Sequence, residues 1–333
     1  MSLPSPELPA PLSAAIEARL EGLSHSALRD RARQLSERYR AHRPTSETIR
    51  DETDALAYAA TRMPATYAAI VTALGRLDEQ SPEFAPKRML DVGCGLGAAS
   101  CAAATVWPSI AEITLLDRSA LFLNLAAALA QESGLRAKIE ATHADMAAPR
   151  AGEDAASFDL VVVGYALTEI AEGDLPAVID RLWSRTGGAL VIVEPGTPRD
   201  HARLMIVRSR LIALGANILA PCPHQAPCPM PANDWCHFSV RLPRRRAHKV
   251  VKGADAPFED EKFAYLVAGR SAGTPPWARV IAPPRVSKAG ISLRLCGDKA
   301  FEETFIPKRD KARYEKIRKK DWGDPLRAPA EEI

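Results

Sequence analysis

Five short apolar runs, four of them followed by a helical stretch, constrain this chain more than any other feature. They fall at residues 88–92, 113–116, 137–141, 158–163 and 189–193, with helices expected over 98–106, 121–133, 174–185 and 201–214. Strands alternating with helices at this pace predict a parallel, doubly wound α/β sheet. The first strand runs into LDVGCGLGAAS. Glycines there let the backbone approach a ligand, and the helix that follows offers free N–H groups at its start.

Taken alone, Gly93, Gly95 and Ala98 also satisfy the dinucleotide fingerprint GxGxxG/A. Asp91 decides between the readings. It stands two residues before the first glycine, at a strand end, where a carboxylate can hold a ligand's ammonium group. The spacing DxGxGxG, through Asp91, Gly93, Gly95 and Gly97, is that of S-adenosylmethionine binders. Asp117 closes the second strand, positioned for ribose hydroxyls, and Asp145 follows the third, placed for the adenine amino group. The set resembles the class I S-adenosylmethionine-dependent methyltransferase fold, a Rossmann-like sheet. Cys94 and Cys101 read as packing residues.

Binding is not catalysis, and no catalytic residue is assigned. Methyltransferases acting on exocyclic amines carry an acid or Asn, then Pro-Pro and an aromatic, after the fourth strand. Here that place reads VVVGYALTEI, with Gly164, Tyr165 and Glu169. A Pro-Cys pair of the kind used as a nucleophile exists at Pro221-Cys222, but after the helix that follows the fifth strand.

Four cysteines form the second focus. Cys222, Cys228 and Cys236 share the stretch CPHQAPCPMPANDWC, and Cys296 ends the apolar run GISLRLC. Soft thiolates gathered this way suit zinc or an iron–sulfur cluster. The spacing matches neither CxxC…CxxC nor CxxCxxC, and four unrelated core cysteines are the bland alternative. Against that alternative, Pro223, Pro227, Pro229 and Pro231 remove backbone donors and exclude helix or central strand here. A segment so deprived needs another staple. His224 and His237 read as surface or hydrogen-bonded residues, leaving sulfur as the expected ligand.

The 333 residues, 47% of them hydrophobic, allow an enlarged α/β domain with extensions. We expect an N-terminal helical region over 1–80, with residues 1–12 disordered. The ligand-binding core would span 81–220. A cysteine-rich loop with antiparallel strands completing the sheet edge would span 221–300, and a basic tail 301–333. No apolar run reaches the roughly 18 residues of a membrane span. MSLPSPELPAPLSAA has neither a signal peptide's basic start nor a presequence's arginines, so a cytoplasmic protein is expected. A reducing compartment favours metal over disulfides for its six cysteines. The net charge of +3 hides an asymmetry: residues 241–333 carry +9 and residues 1–240 carry −6. Such placement suits a polyanion-binding surface.

DVGCGLG, CPHQAPCPM, WCHFSVRL, KFAYLVAGR, the late Cys296 and the closing WGD together resemble the methyltransferase-like assembly factors of the mitochondrial ribosomal small subunit, and this chain looks like a bacterial member. The resemblance covers about residues 45–324. It implies a 4Fe–4S cluster on Cys222, Cys228, Cys236 and Cys296, structural in role, and association with the small subunit through ribosomal RNA. Phosphate contacts would then come from Arg241, Arg244, Arg245, Arg246, Lys249 and Lys252, and from Lys308, Arg309, Lys311, Arg313, Lys316, Arg318, Lys319 and Lys320. Trp235, Phe238, Trp277 and Trp322 are candidates for base stacking. The expected protein is a monomer. The alternatives are an active rRNA methyltransferase and, from another class, a small-molecule methyltransferase with a zinc site.

Overall fold

Val161, Val162 and Val163 expose no surface, because their strand has a neighbour on each side and helices on each face. The computed structural model describes residues 3–40, 49–148, 157–252, 256–297 and 301–327. In it β1 (Arg88–Val92), β2 (Glu112–Asp117), β3 (Lys138–His143), β4 (Phe158–Gly164) and β5 (Thr186–Pro195) run parallel in the spatial order β3-β2-β1-β4-β5. Burial on both faces is why the central strands read as continuous apolar runs instead of alternating ones. One face is covered by the helices Met63–Gln80, Ala98–Val106 and Ala120–Glu132, the other by Leu175–Ser184 and Pro198–Ala213.

Three more strands complete this sheet: β6 (Asn217–Ala220), β7 (Phe238–Pro243) and β8 (Phe258–Gly269). β8 runs antiparallel and slots between β5 and β6. The resulting order β3-β2-β1-β4-β5-β8-β6 is that of the class I methyltransferase version of the Rossmann-like sheet.

β8 is long, and on its outer side it has two partners with a gap between them. β7 pairs it up to Phe263, and β6 pairs it from Val267 onward. Ala264, Tyr265 and Leu266 meet no strand there among the described residues. The cysteine segment between β6 and β7 faces this gap. Its prolines cannot donate to a ladder, so the loop packs against β8 without extending the sheet.

The remaining strands depart from expectation. All the antiparallel strands of residues 221–300 were expected to complete the edge of the main sheet. Instead β9 (Ala278–Val280), β10 (Arg285–Val286), β11 (Gly290–Gly297), β12 (Phe301–Pro307) and β13 (Pro325–Leu326) form a separate antiparallel sheet centred on β11. The reason is a core of its own: Ile291, Leu293 and Leu295 alternate along β11 and bury with Val280, Ile306, Leu326 and Ile317 of the helix Lys311–Ile317. The main sheet's edge is meanwhile taken by β6 and β7. Of residues 301–333, expected as a basic tail, the described 301–327 thus contribute two strands and a helix.

The N-terminal quarter is helical, as Ala10–Leu20, His25–Arg40, Glu52–Thr61 and Met63–Gln80. Residues 3–12 are ordered by packing, against the disorder expected from their prolines. Leu8 and Leu12 join the main core, and Leu3 and Pro4 lie against Gly75. No described helix is long and apolar enough to cross a membrane.

Candidate functional site

A cleft of about 240 Å³ opens where β1, β2 and β4 end. The chain leaves β1 through Gly93, Gly95 and Gly97, whose φ values of +64°, +50° and +79° suit glycine. A Cβ on Gly93 would also sit 2.6 Å from the Ala166 side chain. Asp117 lines the cleft and ties the loop to β2, accepting from Gly95 N at 2.9 Å and from Ser119 N at 2.8 Å. Burial pushes its carboxyl above the usual aspartate range. Asp145 lines the same cleft and accepts from Ala147 N at 2.8 Å. Gly93, Gly95, Asp117 and Asp145 are therefore brought together.

Asp91 is placed differently from the sequence expectation. Only 1% exposed, it lies beneath the loop. Its Oδ2 accepts from both the backbone N and the Oγ of Ser100, at 3.0 and 2.7 Å. Burial raises its pKa to about 7. This side chain braces the loop against the helix Ala98–Val106, and Gly97 caps that helix. Neither lines the cleft.

Sequence reasoning missed the network at the far wall. Tyr165, with φ +58°, donates its hydroxyl to Glu261 Oε1 at 2.8 Å, and Arg62 donates to both Glu261 oxygens at 3.3 and 3.2 Å. Glu169 pairs with Arg118 at 2.6 Å. Glu194, 2% exposed at the end of β5, accepts from Leu167 N at 2.9 Å, and burial pushes it up to about 8. The sequence signal was thin: one charge at the end of the apolar β5, and one carboxylate among the four successive charged residues at the start of β8.

The four cysteines converge. Cys222, Cys228, Cys236 and Cys296 line one cavity of about 30 Å³, against the β8 gap at Ala264, Tyr265 and Leu266. Cys296 arrives from the other sheet. On β11 it stands between Arg279 of β9 and Phe301 of β12 as Cα partners. Arg279 has no exposed surface, and it donates to the carbonyls of Pro221 and Gly323. Arg208 donates to the carbonyls of His224 and Ala226 at 2.8 and 2.9 Å. Arg279 Nη2, Arg208 Nε and Tyr265 Oη are buried without a hydrogen-bond partner among the described residues. Burial pushes Cys296 up to about 12 and Cys236 well above the thiol range, and neighbouring thiols add to both shifts. Burial also raises Cys222, with Arg208 and Arg279 opposing. Among the described residues, no three His, Cys, Asp or Glu side chains are arranged to hold a single metal ion. His224 Nε2 lies 3.8 Å from Cys296 Sγ, and His237 turns away to stack on Trp235.

The tryptophans serve packing. Trp235 Nε1 donates to Gly196 O at 2.9 Å, holding the cysteine loop to the end of β5. Trp322 meets His237 and Phe238, while Asp324 of the same WGD pairs with Arg76 at 2.8 Å. Phe238 is buried, and Trp277 packs on the second core.

The two basic groups differ. Arg241 pairs with Asp260 at 2.7 Å, Arg244 with Glu259 at 3.0 Å, Arg245 with Glu7 at 3.6 Å, and Lys252 with Glu259. The acidic start of β8, which pairs β7, draws in Arg241, Arg244 and Lys252, and Glu7 draws in Arg245, so these four do not form the free basic surface expected. Lys249 is half-buried, and the Arg246 side chain lies outside those described. In the later group, Arg313 pairs with Asp310, Arg318 with Glu315, and Lys320 donates to Pro325 O. Lys308, Arg309, Lys311, Lys316 and Lys319 are exposed with no acidic partner among the described residues.

Comparison with known proteins bears on both sites. Residues 52–327 match the family described as "Mitochondrial small ribosomal subunit Rsm22". The human protein "Ribosome assembly protein METTL17, mitochondrial" is 30% identical over 293 residues, 81% of this chain and 62% of that protein. The fission-yeast "Rsm22-cox11 tandem protein 2, mitochondrial" is 25% identical over 332 residues, 84% of this chain and 44% of that protein. The chain thus spans less than two thirds of either relative. Among solved structures, the Synechocystis magnesium protoporphyrin IX methyltransferase with bound S-adenosylhomocysteine matches at a TM-score of 0.42 and 14% identity, over 74% of this chain and 99% of that one. The plantazolicin methyltransferase BpumL matches at 0.42 and 11%, over 77% and 99%. The cytoplasmic location expected from the sequence is corrected by these matches, since the family and both relatives are described as mitochondrial. With the match running from the helix at Glu52 through the cleft and all four cysteines to the last described residue, the chain belongs to the mitochondrial small ribosomal subunit Rsm22 family.

Proposed function

We propose that this protein is an assembly factor that binds the RNA of the small ribosomal subunit as a monomer. It would hold S-adenosylmethionine in the cleft and a 4Fe–4S cluster on Cys222, Cys228, Cys236 and Cys296. The observation that carries the reading is the family match over residues 52–327, which includes the cleft, the four thiols and the basic helix. That the human relative is a ribosome assembly protein supports it.

The residues present fit both groups. Gly93 and Gly95 leave room for a ligand against the loop, and Asp117 and Asp145 keep carboxylate oxygens at its rim for ribose and adenine. The cysteine cavity offers four thiols beside two arginines, each with a buried donor lacking a partner. Such cations suit an anionic thiolate–metal group better than four neutral thiols. With four cysteines as ligands the cluster would supply a crosslink and leave no iron open. Zinc remains the alternative metal. After β4, where a substrate-activating group is needed, stand Gly164 and Tyr165, and the Tyr165 hydroxyl is committed to Glu261. This supports binding over methyl transfer.

The test is a modification map of small-subunit rRNA from cells with and without the gene. An unchanged map with immature subunits accumulating is expected. A methyl group lost in the deletion, and restored by purified protein with S-adenosylmethionine, would instead make it an rRNA methyltransferase. Neither effect would sink both readings. For the metal, iron and acid-labile sulfide are measured per chain, and zinc alone would overturn the cluster.

A further inference from the structure

Two aromatic rings stand apart from the packed ones: Phe258, 53% exposed at the acidic start of β8, and Phe305, the one among cations. Phe305, on β12, is 51% exposed. Its Cα partner on β11 is Ser292, whose partner on β10 is Arg285. Directly opposed residues of a pleated sheet point to the same face, so Arg285, Ser292 and Phe305 form a row across three strands. The rows behind it on that face are Arg294 with Glu303, and then Arg279, Cys296 and Phe301 at the cysteine cavity. One face of the second sheet therefore closes the cysteine site at one end and opens to solvent at Phe305.

Phe305 has a structural duty on its inner side. Its ring lies over Gly290, where an added Cβ would come within 2.7 Å of Cζ. That duty uses only part of the ring. Cations sit on the two adjoining turns, the Lys308 ammonium 5.9 Å from the Tyr314 ring. Lys288 and Lys308 are exposed, and Lys308 N donates to Ala289 O at 2.9 Å, fixing the two turns side by side. Arg285 is 72% exposed and only loosely paired with Glu303, at 3.7 Å. Arg309 and Lys311 are exposed where the chain enters the helix Lys311–Ile317, which packs on the opposite, core-facing side of β11.

We infer that this row is a stacking platform for an unpaired nucleobase of single-stranded RNA. Phe305 takes the base face, and Arg285 and Lys288 take the flanking phosphates. An aromatic presented on a sheet among cations is the arrangement that captures splayed-out bases, whereas a protein partner would need a broader apolar surface than one ring. The inference rests on the RNA-binding reading and assigns it a contact.

Phe305→Leu is the informative variant because it keeps an apolar cover over Gly290 and removes the aromatic face; Phe305→Trp restores it. Fluorescence anisotropy with a labelled single-stranded RNA and with an RNA duplex is measured on the full chain, purified without air. Phe305→Leu should weaken single-strand binding by about tenfold at an unchanged salt slope and melting temperature. Phe305→Trp should bind like the wild type, and duplex affinity should be the same for all three. If Phe305→Leu binds like the wild type while Lys311, Lys316 and Lys319 changed together to Glu abolish binding, RNA binding stands and the platform is wrong. If the wild type binds neither RNA, both fall.

Discussion

Arg279 is a cation with no exposed surface whose guanidinium ties the cysteine loop, at Pro221, to the closing WGD, at Gly323. Only a planar fork reaches two such carbonyls at once. Arg279→Lys should lower stability by about 3 kcal/mol, read by denaturant unfolding, and should lose bound metal. Glu194 gives a pH signature. Burial holds its pKa at about 8, against 4.5 ordinarily, so between these values the folded chain keeps a proton that the unfolded chain releases. Its contribution to stability is full in acid and lost as pH rises through about 8. Between about pH 6.5 and 8 the wild type should lose roughly 1 kcal/mol per pH unit more than Glu194→Gln, measured by urea unfolding; equal slopes would refute the assignment. At this scale the sequence was most readable where one residue type answers one need. Glycines at positive φ and cysteines in a proline-barred loop announced themselves. The aim of Asp91 depended on Ser100, and the Tyr165–Glu261 bond joins residues 96 apart; neither leaves a local pattern.

β11 is the element on which the C-terminal half turns. One set of its side chains, Ile291, Leu293 and Leu295, makes the second core. The other set, Ser292, Arg294 and Cys296, faces the platform and the cysteine cavity. At its start Gly290 is needed, because a methyl group there would meet the Ile306 carbonyl and the Phe305 ring. Gly290→Ala should therefore destabilise by about 1–3 kcal/mol, checked by thermal unfolding, and should blunt RNA binding more than its stability change explains. The strands β1, β2, β4 and β5 were legible because burial writes itself as apolar runs, whereas the edge strand β3, KIEATH, is largely exposed. β9 and β11 were legible as strands but not as a separate sheet. Their alternation reveals one buried face without saying which core it belongs to, and β12 hid among the charges of FEETFIP.

Across the whole molecule, charge that looks continuous in sequence separates in space. Acidic residues at the start of β8 neutralise Arg241, Arg244 and Lys252, and the exposed lysines gather on the second sheet and its helix. Lys311, Lys316 and Lys319 changed to Glu should cut RNA affinity and flatten its salt dependence by about one phosphate contact each. Arg241→Glu, beside Asp260, should change affinity little. Equal losses from both would mean that the ion pairs open on binding. The position of Cys296 also bears on how the protein is made. Three thiols lie on the segment that follows β6, but the fourth rides on β11, about sixty residues after Cys236. A nascent chain still short of residue 296 can fold most of the parallel sheet and offers only three of the four sulfurs. Synthesis itself thus sets the order: the fourth thiol joins the other three only after β11 has emerged, so a complete four-sulfur lining reports that the second sheet has been made as far as β11.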